Sequence, residues 1–141
     1  MYLKFLVSQL IWIFTELGNM LFDINTMTWD DELLKLVNVP SAVLPQVLPS
    51  DANFGTTRAD LIGFAAPISA VMGDQQAALF GQACLEEGMA KCTYGTGGFL
   101  LANIGSKPRF AGGLLTTVGW QQEGKDPIYA FEGAIFVAGA A

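Results

Sequence analysis

Asp74 is the residue of this sequence best suited to acid–base chemistry. It lies in PISAVMGDQQAALFGQ, residues 67–82, where an apolar run gives way to a stretch rich in Ala, Gln and Leu. The run is expected to be a buried strand and the stretch a helix, which places Asp74 at their junction. A carboxylate there could accept the proton of a substrate hydroxyl as it attacks phosphorus, or hold a divalent metal. It could equally be the N-cap of the helix that follows. Gln75 and Gln76 are expected to point outward from the first helical turn, where an amide could orient a polyol or simply face water. Twenty-two residues after Asp74, AKCTYGTGGFLL (90–101) carries Gly95-Thr96-Gly97. The backbone N–H groups and the Thr96 hydroxyl of such a turn could cradle a phosphate anion. The same three residues could be a hairpin turn that uses glycine for positive φ. This is neither a Walker loop, since no G-K-[ST] follows, nor a dinucleotide fingerprint. A proton acceptor followed by a phosphate cradle suggests a kinase cleft.

Composition narrows the alternatives. The 141 residues are 52% hydrophobic and 14% charged, with a mean hydropathy of +0.41. A chain of this kind packs deeply, enters a membrane, or has neighbours that cover its apolar surfaces. The formal charge is −6, and the seven Lys and Arg are scattered from Lys4 to Lys125. No basic stripe for nucleic acid results. Without histidine, the Ser-His-Asp and Cys-His triads are excluded, as is an ordinary Cys/His zinc site. Cys84 and Cys92 are expected to be two buried thiols in a reducing cytoplasm. The apolar stretch from Phe5 to Phe14 is too short to span a bilayer, and no clean cleavage site follows it. A core element is the reading adopted for it, with membrane association as the rival.

The elements that would position the chemistry can be read in order. Helical spacing of Leu6, Leu10, Ile13 and Phe14 predicts a helix over 3–17. A second helix is expected from Trp29 to Val37, with Thr28 as N-cap and Asp30, Asp31 and Glu32 at its positive end. Pro40, Pro45 and Pro49 punctuate a connector that leads to the strand at 66–72. The Asp74 helix is expected to continue through Gln75–Leu85 and stop at Glu86-Glu87-Gly88. Four short strands follow at 89–94, 98–104, 114–120 and 128–132, forming an antiparallel meander, and the GAIFVAGAA segment from Gly133 reads as the start of a helix. Gly133 and Gly139 would let that helix approach a ligand or pack densely. Trp12, Trp29 and Trp120 are expected to fill cores, and Asp30-Asp31 and Glu86-Glu87 to be solvated helix ends. The change of pattern near Gly88 marks a domain boundary.

With these residues in hand, GDQQAALFGQACLEEGMAKCTYGTGGFLLANIG strongly resembles the FGGY family of carbohydrate kinases, in its glycerol kinase branch. MLFDINTMTWDDELLKL, GLLTTVGW and YAFEGAIFVAGA extend the resemblance over about residues 19–141. It implies an α/β chain forming part of a ribonuclease-H-like, actin-like ATPase fold. Residues 1–88 would be the end of a first lobe, with 1–18 matching poorly, and 89–141 the opening of a second. The implied reaction is transfer of the ATP γ-phosphate to glycerol, giving glycerol 3-phosphate, with Mg²⁺. Residue by residue, Asp74 matches the family's general base and a glycerol contact, and Gln75 a second glycerol contact. Thr96, within Gly95-Thr96-Gly97, matches a nucleotide phosphate contact, and Gly139 a glycine of the nucleotide site.

Other family features have no counterpart in this sequence: the D-x-G-T-T-S phosphate loop, the Arg-Glu pair and aromatic residues of the polyol site, and the glycine-rich adenine site. The expectation is therefore a central piece of such a kinase or the remnant of a degraded gene. Such a piece is inactive by itself, because phosphoryl transfer depends on positioning and charge stabilisation by the whole cleft. Glycerol or a similar polyol and ATP are the expected small-molecule partners. The alternative is a non-enzymatic module that associates with itself or a companion chain through uncovered strand edges and apolar faces.

Overall fold

The computed structural model describes residues 20–135. The helix expected over 3–17, the apolar stretch at 5–14 and Gly139 lie outside the described residues. The chain forms two compact units, residues 1–72 and 73–141.

In the first unit, β1 (Phe22–Asp23) and β2 (Thr28–Trp29) pair as a small antiparallel hairpin. Asp23 organises its turn: Oδ1 accepts the Asn25 backbone N–H at 2.8 Å, and Oδ2 accepts the Thr26 hydroxyl at 3.0 Å. Phe22 and Trp29 meet edge to face with centroids 6.0 Å apart. The Trp29 indole N–H donates to the Pro45 carbonyl at 2.9 Å, tying the proline connector to the hairpin. Helix α1 (Asp31–Leu36) is shorter than the sequence suggests, and its N-cap is Asp30, not Thr28. Strand pairing claims Thr28 and Trp29, whereas the Asp30 carboxylate reaches the N–H groups of Glu32 and Leu33 at 2.9 and 3.0 Å. A short 3-10 turn, Ser41–Val43, and helix α2 (Ala59–Ile62) follow.

Residues 66–72 are not the buried strand expected of them. They run extended beside residues 50–57, none of them buried, joined by four backbone hydrogen bonds of 2.8–2.9 Å and one bridge, Thr56 to Pro67. Pro67 offers no N–H to a ladder, and Ala66, Ser69 and Ala70 are too small to bury a sheet face. Asp74 therefore follows an extended connector rather than a sheet strand.

The second unit begins with helix α3 (Asp74–Gly81), followed by β3 (Ala90–Tyr94), β4 (Gly98–Gly105), β5 (Leu115–Trp120) and β6 (Ile128–Ile135). The four strands make one antiparallel sheet in the order β3-β4-β6-β5. This is not a simple meander, because β6 inserts between β4 and β5. Gly133–Ile135 continue β6 instead of starting a helix, pairing with Leu100, Phe99 and Gly98. The available edge of β4 satisfies their backbone groups and holds them extended.

Register aligns Lys91, Leu101, Glu132 and Leu115 in one row across the sheet, with Asn103, Ala130 and Thr117 two residues along on the same face. Lys91, Leu101, Asn103, Ala130 and Thr117 are buried, and α3 packs on this face through fully buried Leu79. The helix stops at Gly81, four residues before the expected end at Leu85. Ala83 takes a left-handed conformation, φ 57°, while the Cys84 N–H donates to the Leu79 carbonyl and the Ala83 N–H to that of Phe80. That pair of bonds is a Schellman closure.

The Asn25 backbone N–H, first among several hydrogen bonds, holds the Asp23 carboxyl below its usual value. A carboxyl lowered by folding stabilises the native state above its unfolded pKa of about 3.9 and loses that contribution as pH falls through the lower folded value. Asp23→Ala is expected to cost roughly 1 kcal/mol at neutral pH. In urea unfolding across a pH series the difference from wild type should disappear toward about pH 2. A difference that stays constant over the series would contradict this account.

Candidate functional site

The site assembles where the N-terminal turn of α3 meets β3. Gly73, extended at φ −65° and ψ 152°, is the N-cap, so Asp74 is the first helical residue and not the cap itself. Its exposed carboxylate still serves the first turn, since Oδ1 accepts the Gln75 backbone N–H at 2.8 Å. Gln75 is partly buried; its Nε2 lies 3.4 Å from Asp74 Oδ2 and its Oε1 accepts a hydrogen bond from Lys91 Nζ. Gln76, expected to face water, is instead buried at 8% exposure. Helical spacing puts it beside Leu79, on the side that the sheet covers.

Lys91 is the group that the sequence reading missed. It is 2% exposed and also donates to Thr93 Oγ1 at 2.9 Å and the Phe99 carbonyl at 3.5 Å. Burial pulls its pKa below the ordinary lysine value, while the negative charges of Asp74 and Glu132 pull it back up. Glu132, in the same cross-sheet row, responds in kind: burial raises its carboxyl, Lys91 opposes the rise and Asp74 adds to it. Asp74, Lys91 and Glu132 thus form one electrostatic group. The signal available in the sequence was the alternation of Ala90-Lys91-Cys92-Thr93-Tyr94, which puts Lys91 and Thr93 on one face of a strand. Asn103 was missed as well. Buried at 1% exposure, it donates from Nδ2 to the Cys84 carbonyl at 3.0 Å and so fastens the end of α3 to β4.

Gly95-Thr96-Gly97 is the turn between β3 and β4, closed by a 2.8 Å bond from the Gly95 N–H to the Gly97 carbonyl. Thr96 is exposed at its tip. Neither Gly95 nor Gly97 has positive φ, so the expected reason for glycine does not apply. Close approach accounts for Gly97: a Cβ there would stand 3.0 Å from the Ile135 carbonyl oxygen and 3.2 Å from the Phe99 ring. Thr96 lies five residues beyond Lys91 along the hairpin, about 16 Å of extended chain at most. Asp74, Gln75 and the turn are therefore features of one compact unit, with Lys91 and Thr93 between them in the chain. Gly97→Ala is expected to lower stability by about 1–3 kcal/mol through displacement of the Ile135 carbonyl. A thermal melt matching wild type would show that the turn tolerates the methyl group.

Among the described residues no three His, Cys, Asp or Glu side chains gather into a metal site. Asp74 is a lone carboxylate with one hydrogen bond to each oxygen, so it could give Mg²⁺ a single ligand at most, the remaining octahedral positions falling to water and substrate phosphate. No step is derived through that ion.

Residues 9–81 match the N-terminal domain of the FGGY family of carbohydrate kinases. The chain belongs to that family. It is 58% identical over 123 residues to the glycerol kinase of Thermus brockianus, a match covering 86% of this chain and 25% of that protein. The Geobacter sp. (strain M21) glycerol kinase is 52% identical over 131 residues, covering 90% and 26%. Among solved structures, the Plasmodium falciparum glycerol kinase with ADP superposes with a TM-score of 0.80 at 42% identity, covering 85% of this chain and 25% of that one. The FGGY chain thus spans about a quarter of the length of these relatives. Its α/β architecture is part of the actin-like ATPase fold that FGGY kinases share.

Proposed function

We propose that this chain carries the proton-accepting edge and one phosphate-binding turn of an ATP-dependent glycerol kinase, which converts glycerol to glycerol 3-phosphate. The observation that carries the reading is the paired acceptor and donor of Asp74 and Gln75, held side by side at a helix N-terminus. Asp74 is the general base: exposed on the first turn of α3, it takes the proton of the attacking hydroxyl. Gln75 donates from Nε2 to a neighbouring hydroxyl and fixes the polyol's orientation. Thr96 and the backbone of Gly95 and Gly97 contact ATP phosphate, and Gly139 lines the nucleotide site. The lobe boundary of the kinase lies between Gly73, where the second compact unit begins with α3, and Gly88. Mg²⁺ bound with ATP would offset the charge of its phosphates. Two free cysteines, Cys84 buried as expected but Cys92 exposed on β3, accord with a cytoplasmic setting, and no described helix is long and apolar enough to cross a membrane.

The reading is tested with Asp74→Asn, which keeps the size and one acceptor oxygen but removes the base. Since the chain corresponds to a quarter of its relatives' length, turnover by these residues is expected only when the remaining cleft is supplied in trans as a complementing polypeptide. In that mixture Asp74→Asn should lower ATP-dependent phosphorylation of glycerol by about 10²–10⁴-fold. An unchanged rate in the variant would refute the assignment.

A second reading concerns association, favoured by the sheet face opposite α3. Tyr94 and Ile135 are 79% and 65% exposed there, and Leu100 lies between their strands at 44%. We propose that this face self-associates or docks a companion chain. Sedimentation of the pure chain is expected to report a concentration-dependent species larger than 15.1 kDa, and a monomer at all concentrations would exclude self-association.

A further inference from the structure

Lys91 is the charged residue for which phosphoryl transfer, as proposed above, provides no task. A buried ammonium is costly unless its protons find acceptors. All three do so, on Gln75 Oε1, Thr93 Oγ1 and the Phe99 carbonyl. The last two lie within the β3–β4 hairpin, and only the bond to Gln75 leaves the sheet. An ammonium donates and never accepts, so it admits only the oxygen end of the amide. The nitrogen end must then turn the other way, and it lies 3.4 Å from Asp74 Oδ2. A half-turn of the amide would bring its oxygen against a carboxylate and its N–H₂ against an ammonium, both of which repel.

We propose that Lys91 is a positioning residue for the polyol site, clamping Gln75 Oε1 so that the Gln75 N–H₂ and the Asp74 carboxylate are presented together as a donor–acceptor pair. This rests on the reading of Asp74 and Gln75 as the polyol edge. The pair suits a substrate with two neighbouring hydroxyls, one donating to Asp74 and the other accepting from Gln75. Loss of the clamp leaves both groups in place but lets the amide rotate, so Lys91 acts on substrate affinity through Gln75 and not by contact.

The test uses the full chain labelled with ¹⁵N, together with the unlabelled complementing polypeptide, following the side-chain amide signals of Gln75 with and without glycerol. In wild type the Gln75 pair is expected to be shifted away from free glutamine positions. Lys91→Met should return it to them and weaken glycerol binding about tenfold. Lys91→Arg, which keeps a donor, should retain the shift and most of the affinity. Gln75→Ala should cost as much affinity as Lys91→Met, and the double variant no more than either alone. Unmoved Gln75 signals in Lys91→Met, or losses that add in the double variant, would overturn the proposal. If Lys91→Met does not fold, wild type still decides: nuclear Overhauser contacts between the Lys91 Hε and Gln75 Hγ protons support the clamp, and their absence refutes it. With the complementing polypeptide present, wild type that binds no glycerol, with a Gln75 signal that nonetheless collapses in Lys91→Met, would sink the polyol reading while upholding the clamp.

Discussion

The burial of Lys91 beneath the start of α3 is the constraint around which the second unit is organised. An ammonium at 2% exposure needs oxygen on every proton and negative charge within reach. The strand beneath provides Thr93, the neighbouring strand the Phe99 carbonyl, and the helix above Gln75. Asp74 contributes charge from the same helix and Glu132 from β6. Moving α3 along the sheet would break the one bond from Lys91 that leaves the hairpin, so a polar contact sets the position of a helix whose apolar anchor is Leu79.

At the other end of the helix the fastening differs. The Schellman closure at Ala83 turns the chain back, and Asn103 holds the Cys84 carbonyl from within the sheet. Phe80 packs edge-on against Trp120 with centroids 5.3 Å apart. A helix of only eight residues has little stability of its own. Held at both ends, it can present Asp74 and Gln75 from a fixed turn, as a positioned base and a positioned donor require.

Much of the second unit was legible in the chain. Four strands were marked by alternation and glycine turns, and the helix by its Ala, Gln and Leu content, because those signals act over a few residues. The failures share a cause. Thr28 had the chemistry of an N-cap, but hairpin pairing with Asp23 claimed it. Residues 66–72 had the hydropathy of a buried strand, but Pro67 and small side chains could not join a sheet. Gly133–Ile135 looked helical until the edge of β4 took their backbone groups. In each case a partner distant in sequence outweighed local preference.

By itself the sequence determined the family, the candidacy of Asp74, Gln75 and Thr96, and the exclusion of histidine chemistry, since residue identity and spacing carry these. Tertiary structure alone decided that Gln76 is buried while Gln75 meets Lys91, that Gly97 is needed for close approach and not for positive φ, and that a lysine belongs with the acids of the site. Those facts depend on strand register and helix placement. A shift of one residue would turn Lys91 out to solvent without changing a letter of the sequence.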